Sequence, residues 1–168
     1  MSDNIYRLST SVEPFMKTSR ENNGYTTSYA QIRVHHGTHA DFPPHVGLDG
    51  GPKWNLSGQA RICSKLSVDD YRPVMLFDIG EAELPDDTIS ELLANGVEVV
   101  GTSHTKVGDL EAHKRLLGNG VVVVENLTNL DAPPTSVGYV HCFALTIERC
   151  ADGAPVTVAF EPNSSSEP

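Results

Sequence analysis

Pro85-Asp86-Asp87-Thr88-Ile89-Ser90-Glu91-Leu92-Leu93-Ala94-Asn95-Gly96-Val97-Glu98-Val99-Val100 decides the class of fold. Ile89, Leu92 and Leu93 recur at helical spacing. Asp86 or Asp87 stands where a helix cap belongs, and Asn95-Gly96 supplies a stop. Val97 to Val100 has the β-branched composition of a strand. The spacing thus predicts a helix over 85–95 feeding a strand over 97–100. Upstream, Val74 to Ile79 is a short apolar run, which reads as a buried strand and completes a strand–helix–strand unit. Downstream, Leu110 to Leu117 reads as a second short helix closed by Gly118, and Val121 to Val124 as another buried strand. Gly138 to Ile147 and Pro155 to Phe160 read as the last two strands, joined around the turn signal Asp152-Gly153. Alternating strands and helices with extra strands at the end imply an α/β fold with a mixed sheet.

The rest of the chain sets limits. Its 168 residues suffice for one domain with a core. Hydrophobic residues make up 39% and charged residues 20%, the balance of a folded protein. The expected organisation is one domain over 1–161 and a flexible polar tail over 162–168, with the polar stretch 19–27 as loop. The formal net charge of -10 argues against nucleic-acid phosphate or an anionic membrane as the main partner, because both are repelled. A small-molecule substrate or a bound cation remains. No apolar run is longer than Val121 to Val124, far too short to span a bilayer. Nothing after Met1-Ser2-Asp3-Asn4 resembles a secretory signal, so a cytoplasmic protein is expected. Cys63, Cys142 and Cys150 are an odd count without CxxC spacing and read as reduced thiols.

Four of the seven histidines fall between positions 35 and 45, in His35-His36-Gly37-Thr38-His39-Ala40-Asp41-Phe42-Pro43-Pro44-His45. Imidazole and carboxylate together are the ligands of zinc, manganese or iron. Gly37 and the prolines disfavour a helix here. Tyr29 to Val34 alternates apolar and polar residues and reads as a strand leading into His35. Continued strand-like, it puts His35, Gly37, His39 and Asp41 on one face, with Gly37 leaving room for an ion. His36 then points away and is a non-ligand. Three prolines and three glycines make 42–52 a loop, with His45 held stiffly near the same site. A His-rich surface loop that binds metal adventitiously is the competing reading. His113 in a helix, and Glu125 at the exit of a buried strand, weigh against it, since an ionisable strand-end residue is costly unless paired or ligating. His104 and Lys106 read as solvated loop residues before pocket residues, and His141 as a partly buried sheet residue. Trp54 either covers the site or anchors a loop.

At this point the chain resembles a known family, the cyclase-like metal-dependent hydrolases that include bacterial kynurenine formamidase and isatin hydrolase. The family's His-x-Gly-Thr-His-x-Asp-x-Pro-x-His is matched in full by residues 35–45. Gly96 to Thr102, Ala112-His113, Val124-Glu125-Asn126-Leu127 and the closing Ala151-Asp152-Gly153-Ala154-Pro155-Val156 are similar to later segments. The resemblance runs from about residue 30 to 160. It implies a compact swivelling β/β/α-type single domain, assembled as a homodimer or homotetramer. It implies that His35 and His39 bind one divalent metal, zinc or manganese, that Asp41 bridges two ions, and that His113 and Glu125 complete the second site. His45 is then the general acid/base. The implied reaction is that of an arylformamidase-type amidohydrolase, cleaving a C–N bond of a small amide, formamide or lactam with a metal-activated water. Thr38 and the Asn126-Leu127 pair are expected to orient ligands by hydrogen bonding.

The chain also departs from the family pattern. It is shorter between His45 and Glu91, lacks a Trp-Pro-Gly-Asp-like stretch near the N-terminus, and has Thr102-Ser103-His104-Thr105-Lys106 where members often carry Asp-x-Pro-Ser. These departures touch the substrate pocket more than the metal ligands. Two other functions therefore stand beside the hydrolase. One is a metal-dependent lyase or cyclase on a small metabolite, and the other a non-catalytic metal- or ligand-binding member.

Overall fold

The computed structural model describes residues 5–10, 15–20, 24–66, 68–147 and 149–163. A mixed sheet closes on itself as a seven-stranded barrel, and two helices cover one side. The strands are β1 (Tyr6–Arg7), β2 (Phe15–Arg20), β3 (Thr26–Gln31), β4 (His39–Asp41), β5 (Gly58–Cys63), β6 (Val74–Phe77), β7 (Val99–Thr102), β8 (Val122–Glu125), β9 (Val137–Ala144) and β10 (Gly153–Pro162). The helices are α1 (Asp86–Ala94) and α2 (Leu110–Gly118). Around the barrel the order is β10-β4-β8-β7-β6-β5-β9, and β9 pairs back onto β10. β5, β6, β7 and β8 run parallel, with α1 between β6 and β7 and α2 between β7 and β8, while the other pairings are antiparallel. β1 lies along β10, and β2 and β3 form a separate hairpin.

Strand periodicity divides the core in two. Val74 and Leu76, Val122 and Val124, with Ala40, Val158 and Phe160, fill the barrel. Met75 and Phe77, Val121 and Val123 face outward and pack with Ile89 and Leu92 of α1 and Leu116 of α2. Covered on both faces, β6 and β8 read as the continuous apolar runs that parallel strands require. Arg115 of α2 ties the helices together through Asp86, 2.8 Å away. No helix among the described residues is long and apolar enough to cross a membrane.

Several expectations are corrected. Neither Asp86 nor Asp87 caps α1. Both lie in its first turn, where their charge meets the positive end of the helix dipole, and the N-cap is Pro85. The strand placed at 29–34 ends at Gln31 and pairs with β2 in the hairpin, so it does not lead into His35. Residues 19–27 are not all loop: Arg20 and Thr26 pair across that hairpin. β5 was hidden because Gly58-Gln59-Ala60-Arg61-Ile62-Cys63 mixes polar residues into a buried strand. Arg61 pairs with Asp69 and Asp70 at 3.0 Å. Within the expected tail, Pro162 ends β10 and Asn163 donates its amide to Val137 O at 3.1 Å. Residues 164–168 of the expected tail lie outside the described residues.

Candidate metal centre

β4 is short but decisively placed between β8 and β10. Ala40 points into the barrel, so His39 and Asp41 must point outward, toward α2. On β8 the same alternation turns Val124 inward and Glu125 outward, and the register sets His39 directly opposite Glu125. α2 closes the corner with His113, among its buried residues. His113 Nε2 lies 3.1 Å from Glu125 Oε1 and 3.4 Å from Asp41 Oδ2. His39 Nε2 lies 3.4 Å from Asp41 Oδ1 and 3.6 Å from Glu125 Oε2.

Each of these two rings is held from behind by a carbonyl. His39 Nδ1 donates to Gly37 O at 2.9 Å, and His113 Nδ1 donates to Asp109 O at 3.2 Å. A carbonyl only accepts, so the proton sits on Nδ1 and both Nε2 atoms face the carboxylates. Asp109 is the N-cap of α2, its side chain accepting from Ala112 N. Glu125 Oε1 accepts from Val107 N at 3.0 Å.

The segment before β4 is a turn rather than a strand, which corrects the period-two placement of His35 and Gly37. Gly37 has φ 68°, and it provides the left-handed turn and the carbonyl that holds His39. The same carbonyl accepts from Asn126 Nδ2 at 3.1 Å. Buried Thr38 locks the turn to β8 by donating to Asn126 O at 2.6 Å, and it accepts from Thr10 N at 2.9 Å. The turn folds His35 back so that Nδ1 sits 2.9 Å from Asp41 Oδ1 and Nε2 3.1 Å from Asp152 Oδ2. His45 lies on a short 3₁₀ turn, Pro43–Val46, with Nε2 4.0 Å from Asp41 Oδ2 and its ring 4.3 Å from that of His35.

The structure thus gathers all six expected residues, His35, His39, Asp41, His45, His113 and Glu125. His36 is exposed on the rim, and His104 turns onto the backbone of Lys106. His141 pairs with Glu161 on the far strands at 3.0 Å. Trp54 packs edge-on against Phe42, centroids 6.0 Å apart, so it anchors a loop. Sequence reasoning did not assign Thr10, Asp109 or Asp152 to the site. The turn signal at Asp152-Gly153 and the N-cap position of Asp109 are the only marks they left.

The carboxylates of the site draw positive charge toward them. Burial opposes ionisation of Asp41, but His113 and His35 beside it hold its carboxyl well below the usual carboxylate range. Burial likewise opposes charge on His113, yet Asp41 and Glu125 outweigh it and raise its pKa to about 10. The Asp41 contact raises His35 against its own burial, with Asp152 adding to it. Asp41 Oδ2 is buried and makes no hydrogen bond among the described residues, with the His113 and His45 Nε2 atoms standing off at 3.4 and 4.0 Å. An orphaned buried carboxylate oxygen is costly unless something positive meets it. The ligand atoms of His39, Asp41 and Glu125 lie within 4.8 Å of one another, as do those of His35, Asp41 and His45, with Asp41 common to both sets. This donor set fits a divalent cation. Beside it opens a cleft of about 630 Å³ whose lining includes Thr10, His36, Thr105 and Asn126.

No family model matches the chain. A kynurenine formamidase from Salinibacter ruber is 30% identical over 162 residues, 75% of each chain. An uncharacterized protein of Methanocaldococcus jannaschii is 26% identical over 125 residues, 62% of this chain, and the match spans 66% of that relative's length. Among solved structures, a potential metal-dependent hydrolase with cyclase activity superposes with a TM-score of 0.69 at 20% identity, over 94% of this chain and 98% of that one. Isatin hydrolase A from Ralstonia solanacearum gives 0.73 at 13% identity, over 95% and 92%. These likenesses establish the fold. With the formamidase relative they show that the chain belongs to the cyclase-like family of metal-dependent hydrolases.

Proposed function

We propose that the chain hydrolyses a C–N bond of a small amide, formamide or lactam. Divalent metal, zinc or manganese, is held as two ions by His35, His39, Asp41, His113 and Glu125, and His45 is the general acid/base. The observation that carries this reading is Asp41, a buried carboxylate with His35 and His39 nitrogens 2.9 and 3.4 Å from Oδ1 and the His113 nitrogen 3.4 Å from Oδ2, an oxygen that makes no hydrogen bond among the described residues. When bound, the metal supplies Lewis acidity that polarises a carbonyl and makes water a stronger acid.

The protein's own groups do the rest. The Gly37 and Asp109 carbonyls fix the tautomers of His39 and His113, so both rings offer Nε2 without rearrangement. Thr38 and Asn126 hold the turn that carries His39 against β8. His45 lines the cleft and is 35% exposed, so solvent and a substrate bound there would both be within its reach. Its imidazole takes a proton from the attacking water and returns it to the departing nitrogen. The polar lining supplies hydrogen-bonding partners that suit a small polar amide.

Turnover on a panel of formamides, lactams and lactones tests the substrate class, and hydrolysis of none of them would contradict it. His45→Ala is expected to lower turnover by about 10²–10⁴-fold with metal content unchanged. Unchanged turnover would remove His45 from the proton-transfer role.

A further inference from the structure

Asp152 and Gly153 lie at the start of β10, far from the His-rich segment in sequence, yet they meet His35 on two sides. Asp152 Oδ2 accepts from His35 Nε2 at 3.1 Å. Gly153 pairs with Asp41 across β10 and β4. A Cβ at Gly153 would stand 2.5 Å from His35 Cε1 and 3.0 Å from its Nε2, so the ring lies against bare backbone. Asp152 is itself fixed: its carbonyl accepts from Phe42 N at 3.0 Å, and its Oδ1 accepts from Cys150 Sγ at 3.4 Å. The His45 ring, 4.3 Å away and tilted by 35°, packs against His35 as well. The imidazole is therefore confined by a carboxylate, a glycine and a second ring.

We infer that Asp152 and Gly153 form a seat that fixes the His35 ring and commits its Nδ1, rather than Nε2, to the cation site beside Asp41. A carboxylate only accepts, so Nε2 must carry the hydrogen in the Asp152 contact. Nδ1 also faces a carboxylate, Asp41 Oδ1 at 2.9 Å, but Asp41 belongs to the ligand sets and Asp152 does not, so a cation beside Asp41 would replace the Nδ1 hydrogen and leave the Nε2 hydrogen on Asp152. This makes His35 the reverse of His39 and His113, which donate from Nδ1 to carbonyls and offer Nε2. Asp152 is a positioning residue: it acts on the metal through His35. A carboxylate behind a ligating imidazole also raises that ring's basicity and ligand strength.

The inference rests on the reading of the centre as a divalent-metal site, and one experiment separates the two. Zinc affinity is measured by chelator competition for the full chain and for Asp152→Ala and Asp152→Asn. The ring nitrogens of His35 are followed by ¹⁵N NMR in the zinc-loaded wild type. The seat predicts about a 10–100-fold loss of affinity in Asp152→Ala. It predicts a smaller loss in Asp152→Asn, whose amide oxygen still accepts from Nε2. It also predicts zinc on Nδ1 and hydrogen on Nε2 of His35. Affinity of Asp152→Ala within twofold of wild type, or zinc on Nε2, overturns the seat alone. Absence of zinc uptake by the wild type overturns the metal-site reading and the seat with it. Should Asp152→Ala fail to fold, the wild-type nitrogen shifts decide.

Discussion

The two walls of the centre are built on opposite principles. On the inner wall, His39, Asp41, Glu125 and His113 are 3%, 1%, 5% and 8% exposed, and each comes from the barrel or from α2 packed on it. On the outer wall, the side chains of His35, His45 and Asp152 are 27%, 35% and 47% exposed and sit on turns or at a strand start. Burial makes the inner charges depend on one another, because an unpaired charge there has no water to replace its partner. On the outer wall solvent reaches the side chains, His45 most openly among the histidines, so their charges depend less on one another. The inner wall thus holds charge, and the outer wall is suited to chemistry.

This contrast breaks most severely at Asp41, the one group common to both ligand sets. Asp41→Ala is expected to reduce turnover to background and to release metal, as measured by elemental analysis after gel filtration. Full metal content in that variant would separate the two walls.

Acidity sharpens the comparison. In metal-free protein the folded-state pKa of His113 is raised to about 10 by contacts that outweigh its burial. A raised histidine stabilises the fold fully below its ordinary value of about 6.5 and loses that contribution as pH climbs through about 10. Asp41 is lowered, so its contribution is present above the ordinary carboxylate range and is lost as pH falls through its folded value. The melting temperature of chelator-treated protein should therefore fall between pH 7 and pH 10. A flat profile would show that the inner wall is not coupled as described.

The smallest of these effects is at the hinge between the walls. Thr38→Val removes a buried hydroxyl and leaves the Thr10 amide and the Asn126 carbonyl without that partner. The expected cost is about 1–3 kcal/mol of stability, read as a fall in Tm of about 2–4 °C for each kcal/mol in a chain of this size. An unchanged Tm would mean that the turn is held by other contacts.

His39 and Asp41 of the inner wall and His35 and His45 of the outer wall were legible in one stretch of sequence, whereas Asp152 and the geometry of the outer wall were not. His39 and Asp41 stand two apart, which on any strand means one face, and the apolar run of a buried parallel strand is plain at Val121 to Val124. What no local pattern reveals is register. β4 could be set between β8 and β10 only by the closed barrel, and this alone brings His39 opposite Glu125 and Asp41 opposite Gly153. His35 was placed with the ligands through the wrong geometry, a continued strand instead of a turn at Gly37. Asp152 looked like an ordinary turn residue because its partner is 117 positions away. β5 escaped notice because Gln59 and Arg61 break the apolar run that marked its parallel neighbours.

Metal stoichiometry of untagged protein tests the central claim most directly. Purified without chelator in medium containing zinc and manganese, the chain should carry close to two divalent ions, lost in Asp41→Ala. A wild-type protein that takes up no divalent metal under these conditions would contradict the account.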